Sequence, residues 1–319
     1  MQNRFTRPLL TLFLTATVYA SNLVPGQTTQ SPSEESSTPT YRSNVSEVRL
    51  VFFATDEHNQ AIEGLQKDDF AVVDSEMVIR DFRSFARLGL TQLDVIVLMD
   101  SSESVLPHFE EEIGGVEQLI SDSPWSPEDN LSVLAFSGIE AHFVCVGNCR
   151  SSFAADRIVF LPRGGATPLF DAIEIAANFL IQRRQPDVWP VIILFSDGDD
   201  TISKTSFREA LEKIRASEAQ VYTIDLNPPG QVSSGSATLQ RIADESGGRW
   251  VPITEGAARI FNDVISDLHS ARVVTYVRPQ SNSDFHSVRI FPTRNLKLQF
   301  RCRRGYYSRS GGDRLEDGP

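Results

Sequence analysis

Leu93-Asp94-Val95-Ile96-Val97-Leu98-Met99, followed at once by Asp100-Ser101-Ser102-Glu103-Ser104, is the stretch that decides the fold. Its first seven residues are almost continuously apolar, the signature of a strand covered on both faces. Strands of that kind belong to parallel sheets, which carry ligand sites on the loops leaving the C-terminal ends of their strands. Asp100, Ser102 and Ser104 occupy such a loop. Alternate positions along an extended segment can turn three oxygen side chains towards one point, and hard divalent cations take oxygen donors.

Two further segments extend the pattern. Arg163-Gly164-Gly165-Ala166-Thr167-Pro168-Leu169-Phe170-Asp171-Ala172 opens a helix that reads to about Arg184, with Thr167 at its N-cap and Pro168 at its first position. Pro190-Val191-Ile192-Ile193-Leu194-Phe195 is a second buried run, ending in Ser196-Asp197-Gly198-Asp199-Asp200. The order D-x-S-x-S, then Thr, then S-D-G resembles the metal-ion-dependent adhesion site (MIDAS) of von Willebrand factor A domains, over roughly residues 91–270. The resemblance implies an α/β fold with a doubly wound, mainly parallel, Rossmann-like sheet. It implies a divalent cation, Mg²⁺ first, with Mn²⁺ or Ca²⁺ as alternatives, held by Asp100, Ser102, Ser104, Thr167 and Asp197. In that scheme Ser102, Ser104 and Thr167 bind directly while Asp100 and Asp197 act partly through water. The ion then keeps enough charge to accept an acidic side chain from a protein ligand.

Each residue has a plainer reading. Asp100 could end a strand in a turn, Ser102 or Ser104 could cap the next helix, Thr167 could be only an N-cap, and Asp197-Gly198 only a turn. Their joint occurrence in this order favours the metal site. Glu103, Asp199 and Asp200 would add negative field at its mouth, and Asp171 reads as a first-turn acid facing the helix dipole. Asp100 and the run Asp197-Gly198-Asp199-Asp200 also resemble aspartyl-phosphate hydrolases of the haloacid dehalogenase type. Such an enzyme needs a general acid two residues after its nucleophile, and Ser102 is a poor one. There is no phosphate-cradling G-x-x-x-x-G-K-[ST] and no G-x-S-x-G. The expectation is a protein-binding, adhesion-type module, not an enzyme. A scaffold protein with a merely stabilising metal is the alternative.

The flanks carry a second resemblance. Gly64-Leu65 with Asp69-Phe70-Ala71-Val72-Val73-Asp74, and Phe285-His286-Ser287-Val288-Arg289-Ile290 with Arg304-Gly305-Tyr306-Tyr307, are similar to exported bacterial proteins related to von Willebrand factor A, whose roles are mostly unknown. Arg4 and Arg7 before the apolar stretch Leu9 to Tyr19, with Val18-Tyr19-Ala20 as a cleavage site, read as a secretory signal peptide over residues 1–20. The expected location is periplasmic or extracellular, with no transmembrane segment after cleavage. Removing Arg4 and Arg7 from the 30 basic side chains leaves 28 against 42 acidic ones, a net charge of −14. That balance excludes nucleic acid as a partner class. Arg301, Arg303, Arg304 and Arg309, with Tyr306 and Tyr307, then read as a solvated edge strand. Of the cysteines, Cys145 and Cys149 close a small loop that export allows to be disulfide-bonded, and pairing of either with Cys302 is also open.

Residues 21–42, rich in Ser, Thr, Gln and Pro, read as a disordered linker, and residues 309–319 as a disordered tail. Short strands are expected at Val48–Ala54, Phe70–Val73 and Val78–Phe85, and again at Val273–Val277, His286–Phe291 and Leu296–Arg301. Neither set makes a core alone. They are read as one discontinuous β-sandwich, residues 43–90 and 271–308, with the α/β domain of residues 91–270 inserted between its halves.

Overall fold

The computed structural model describes residues 46–308, apart from 89–91, 123–124, 151–156, 158–160, 186, 229, 231–232, 254–263 and 266. The expected signal peptide, linker and tail lie outside the described residues, as do most of residues Glu255–Ser270, whose apolar spacing at Ile260, Phe261, Val264, Ile265 and Leu268 reads as a last helix. Within that last helix, Val264 and Leu268 are buried and residues 267–270 are helical.

Among the described residues, fourteen strands form three sheets. The strands before the α/β unit are β1 (Glu47–Thr55), β2 (Phe70–Asp74), β3 (Met77–Ile79) and β4 (Ser84–Arg87). The central six-stranded sheet holds β5 (Gln92–Asp100), β6 (Asn130–Ser137), β7 (Glu140–Cys145), β8 (Val188–Ser196), β9 (Gln220–Asp225) and β10 (Trp250–Pro252). Its order is β10-β9-β8-β5-β6-β7, parallel except for β7, which runs antiparallel to β6 at the edge. The helices are α1 (Phe109–Asp122), α2 (Leu169–Gln182), α3 (Phe207–Ser217) and α4 (Ser234–Ser246). Along β5, Val95, Val97 and Met99 enter one core and Ile96 and Leu98 the other. An unbroken apolar run is thus what a strand covered on two faces requires.

The flanking strands pair with one another across the α/β unit. After it come β11 (Arg272–Val277), β12 (Phe285–Pro292), β13 (Gln299–Cys302) and β14 (Gly305–Tyr307). One sheet runs β13-β1-β11-β4 and the other β14-β12-β2-β3. In the first, Leu50 lies opposite Val274; in the second, Val72 lies opposite Ile290. Leu50, Phe52, Val72, Val274, Tyr276 and Ile290 fill the core between the two sheets. The opposite face of β1 contributes Phe53 to the α/β core, where its ring stacks on Trp189 at 6.3 Å. Period-two alternation thus lets one strand serve two cores.

Three local expectations are corrected. Val78–Phe85 is not one strand: β3 joins β2 and β4 joins β11, in different sheets. Ile79, Phe82 and Phe85 all pack on the sandwich core at spacing three. A single strand would put Phe82 on the face opposite the other two, so the chain crosses between sheets over residues 80–83. Residues Val105–Ile120 read as a helix in sequence, but the segment begins as a 3₁₀ turn, Glu103–His108, and becomes α-helical only at Phe109. Pro107 lacks an N–H and disfavours helical backbone at Leu106 before it. The post-insert set gains a strand, β14; β13 and β14 do lie at sheet edges, but the arginines read as solvated are turned to the α/β unit. Arg301, Arg303 and Arg304 are ion-paired to Asp267, Glu218 and Asp244 on the α/β unit at 2.5, 3.0 and 2.8 Å. Cys145 is disulfide-bonded to Cys149, with a Cα–Cα distance of 5.7 Å, and Cys302 is free.

Candidate metal site

Asp100 ends β5 and Ser196 ends β8, so adjacent parallel strands deliver the two loops to one edge of the sheet. Asp100 is fully buried. Its Oδ1 accepts from the Ser102 N–H at 3.0 Å, and its Oδ2 accepts from the Ser196 hydroxyl at 2.7 Å. Burial pushes the Asp100 carboxyl up to about 7, hydrogen bonds from Ser102 and Ser196 oppose that, and the negative charge of Asp197 adds to it. The Ser102 and Ser104 hydroxyls lie 3.2 Å apart. Neither caps the following segment: Ser102 stands at its N-cap position, but its side chain makes no capping hydrogen bond.

Gly164 and Gly165, at φ +102° and +86°, turn the third loop against the first. Gly164 N–H donates to Ser101 O at 2.7 Å, and Glu103 N–H donates to Gly165 O at 3.0 Å. Thr167 is therefore carried to the same edge. The expectation that Thr167 caps α2 is corrected: Pro168 holds the N-cap position and α2 starts at Leu169. Thr167 N–H instead donates to the Thr201 hydroxyl at 2.7 Å, while Thr201 N–H donates to Thr167 O at 3.0 Å. The Thr167 side-chain hydroxyl, on a 3% exposed residue, is left uncommitted by that pairing.

Asp197, 8% exposed, accepts from the Asp199 N–H at 3.1 Å. Its neighbours act as struts. The Asp199 carboxylate accepts from the Ser234 hydroxyl at 3.1 Å, and Asp200 accepts from the Phe170 N–H at 3.2 Å, at the start of α2. Asp171 likewise does more than face a dipole: it accepts from the Lys204 and Thr205 N–H groups at 3.1 and 2.8 Å. Burial alone would raise the Asp171 carboxyl, but these hydrogen bonds outweigh it and hold it below the usual range.

The donor set suits a hard cation. Asp100 and Asp197 are buried, and neither is ion-paired to Lys or Arg among the described residues. A buried pair of carboxylates without a countercharge calls for one. Among the described residues no three His, Cys, Asp or Glu side chains are grouped to hold an ion, so hydroxyls have to complete any sphere here. Sequence reasoning passed over Ser196 as a holder of Asp100, Thr201 as a holder of Thr167, and Asn227, whose amide donates to Asp197 O at 2.6 Å. Ser196 stood inside the quoted S-D-G stretch; Thr201 and Asn227 carry no signal in a single sequence.

The chain is similar to several known proteins. The Magnesium-chelatase 60 kDa subunit of Cereibacter sphaeroides is 29% identical over 103 residues, a match spanning 32% of this chain and 18% of that one. An aerotolerance-related membrane protein from Bacteroides fragilis, solved with multiple mutations to serines, is similar in structure at 16% identity and a TM-score of 0.41, over 55% of this chain and 98% of that chain. Proximal thread matrix protein 1 from the mussel byssus is similar at 20% identity and a TM-score of 0.46, over 58% of this chain and 50% of that chain. Residues 94–263, more than half of the chain, match the model of the von Willebrand factor type A domain, and the chain belongs to that family.

Proposed function

We propose that this protein binds a protein ligand through a divalent cation held by Asp100, Ser102, Ser104, Thr167 and Asp197. The observation that carries this reading is the burial of Asp100 and Asp197, without a cationic partner among the described residues, at a sheet edge whose loops also carry Ser102, Ser104 and Thr167. Domains of this family typically mediate protein–protein interaction, often with a metal. A cation held mainly by neutral hydroxyls supplies a strong Lewis-acidic point to which a partner's carboxylate can bind. Ser196 and the Ser102 N–H orient Asp100, and the Thr167–Thr201 exchange fixes the third loop. Mg²⁺ fits the compact oxygen set first, with Mn²⁺ or Ca²⁺ as alternatives.

We read the chain as exported, from its N-terminal sequence, and as a type A domain carried between the halves of a β-sandwich. The paired flanking strands support that division. No helix among the described residues is long and apolar enough to cross a membrane. A phosphohydrolase reading is disfavoured because Ser102 stands where a general acid is needed.

Calorimetric titration with Mg²⁺ and Mn²⁺ tests the site. Asp100→Ala is expected to weaken binding by at least tenfold, about 1.4 kcal/mol. Equal affinity in variant and parent would place the cation elsewhere. Thr167→Ala is expected to abolish chelator-sensitive capture of a carboxylate-bearing partner while leaving the circular dichroism spectrum unchanged. Metal-dependent turnover of an aryl phosphate, lost in Asp100→Asn, would replace adhesion by hydrolysis.

A further inference from the structure

A cleft of about 710 Å³ opens at the opposite pole of the central sheet, where the sandwich meets the α/β unit. Val188 and Gln220, on its wall, begin β8 and β9, whereas Asp197 follows the far end of β8. At about 3.3 Å per residue, the length of β8 separates the two places by roughly 25 Å. The cleft is therefore distinct from the candidate metal site, and its volume falls within the range of small-ligand pockets.

Its charge is opposite to that of the chain. The whole protein carries −12, yet Arg49, Arg184, Arg278 and Arg303 line this cleft against only Glu47 and Glu218. Glu218 is already committed: Arg184 and Arg303 both pair with it, the latter at 3.0 Å. Burial raises the Glu218 carboxyl, but the two guanidinium groups outweigh that and hold it below its usual value. Arg278 makes no ion pair among the described residues, so positive charge is left over at the rim. Arginine presents a planar fork of donors that matches carboxylate and phosphate oxygens.

Two buried polar atoms on the same wall have no hydrogen-bond partner among the described residues. Gln220 is 3% exposed and its side-chain oxygen accepts nothing; the Nε of Arg303 donates to nothing. Turned over, the Gln220 amide would put two N–H donors where that oxygen lies. Arg303 is held in place from its other side, with Nη2 donating to Arg49 O at 2.9 Å and the guanidinium 5.4 Å from the centre of the Tyr306 ring. Tyr306 and Tyr307 add flat aromatic wall. Unpaired arginine charge, an amide that can turn N–H donors to the place of its unpartnered oxygen, and an aromatic wall suit a site for an anion.

We propose that this cleft binds a compact polyanion, one bearing two or more carboxylate or phosphate groups, on Arg278, with Gln220 on the cleft wall. Calorimetric titration of the full, metal-free chain with pyrophosphate and with citrate, at low ionic strength, is the test. Saturable one-to-one binding of at least one probe is expected, weakened about tenfold by Arg278→Gln and weakened progressively by added salt. Arg278→Lys is expected to retain most of the affinity, because the charge remains. Preference for pyrophosphate would identify a phosphorylated ligand, and preference for citrate a polycarboxylate. An unchanged melting temperature in each variant keeps loss of fold out of the comparison. Binding of neither probe at about 1 mM, or binding undiminished in Arg278→Gln, would overturn the proposal.

Discussion

Glu112 is a carboxylic acid with little to hold it. It lies on α1 with its side chain fully buried, and neither of its oxygens has a well-formed hydrogen-bond partner among the described residues; the Asp100 N–H is a weak donor towards it. Burial pushes its carboxyl well above the ordinary value, and the nearby Asp100 charge pushes it further. The folded protein therefore keeps a proton that the unfolded chain releases once the pH passes the ordinary carboxyl value. Linkage then makes stability fall as pH rises from that value towards the raised one in the folded state. Glu112→Leu removes both the orphaned oxygens and this pH dependence. Its melting temperature is expected to exceed the parent's, by more at pH 8 than at pH 5, for a gain on the order of 1–3 kcal/mol. Thermal melts at the two pH values are the check, and a variant less stable than the parent at both would show that Glu112 has a stabilising partner. The five proposed ligands were legible because each stands in a short local pattern. Glu112 was not: in sequence it is one acid among several on a helix, and only packing shows which of them faces inward.

At the scale of elements, the loop carrying Asp197 is held by the start of α4. Gly198 adopts φ +83°, and a Cβ on Gly235 would lie 2.1 Å from Asp197 O, while one on Gly198 would lie 2.2 Å from Gly235 O. Two backbones touch there without side chains between them. Helix propensity alone predicts that Gly→Ala within a helix stabilises by about 0.5–1 kcal/mol. Close approach predicts the reverse, so the sign of the effect decides. Gly235→Ala is expected to destabilise by about 1–3 kcal/mol and to weaken divalent-cation binding together with stability, because Asp197 must move. A raised melting temperature with unchanged metal affinity would show that α4 does not position the loop. The strands and helices of the α/β unit were readable because their apolar runs are long and their periods unmixed. The split of Val78–Phe85 into β3 and β4 was not, since four residues that cross between sheets look like a continuation of either. The seat of α4 on the Asp197 loop was equally silent, because a glycine that permits close approach is spelled like one that permits a turn.

Over the whole molecule, the two sandwich sheets are tied by one buried acid. Asp74 on β2 is fully buried; its Oδ2 accepts from the Tyr276 hydroxyl at 2.9 Å and the Tyr306 hydroxyl at 2.7 Å, and its Oδ1 lies 2.9 Å from His286 Nδ1. Tyr276 belongs to the first sheet, and Tyr306 and His286 to the second, so the carboxylate bridges strands from before and after the α/β unit. The sandwich is in turn bound to that unit by Phe53 against Trp189 and by Arg301 on Asp267. Removing Asp74 would leave two buried hydroxyls unpartnered and would leave His286 Nδ1 to the Ser75 hydroxyl, 3.1 Å away. Loss of one member of a buried charged network costs about 3–5 kcal/mol. Asp74→Ala is therefore expected to lower the melting temperature markedly, with Asp74→Asn intermediate, since an amide oxygen can still accept from a tyrosine. Because the sheets share cores and ion pairs with the α/β unit, the loss should appear as one transition. Far-UV circular dichroism reports the whole backbone, and the fluorescence of the buried Trp189 contributes the α/β side of the interface. Coincident shifts of both signals would mean that the flanking strands and the type A domain unfold together. An early melt seen by circular dichroism alone would mean that the sandwich opens by itself, leaving the domain that carries Asp100 and Asp197 folded without it.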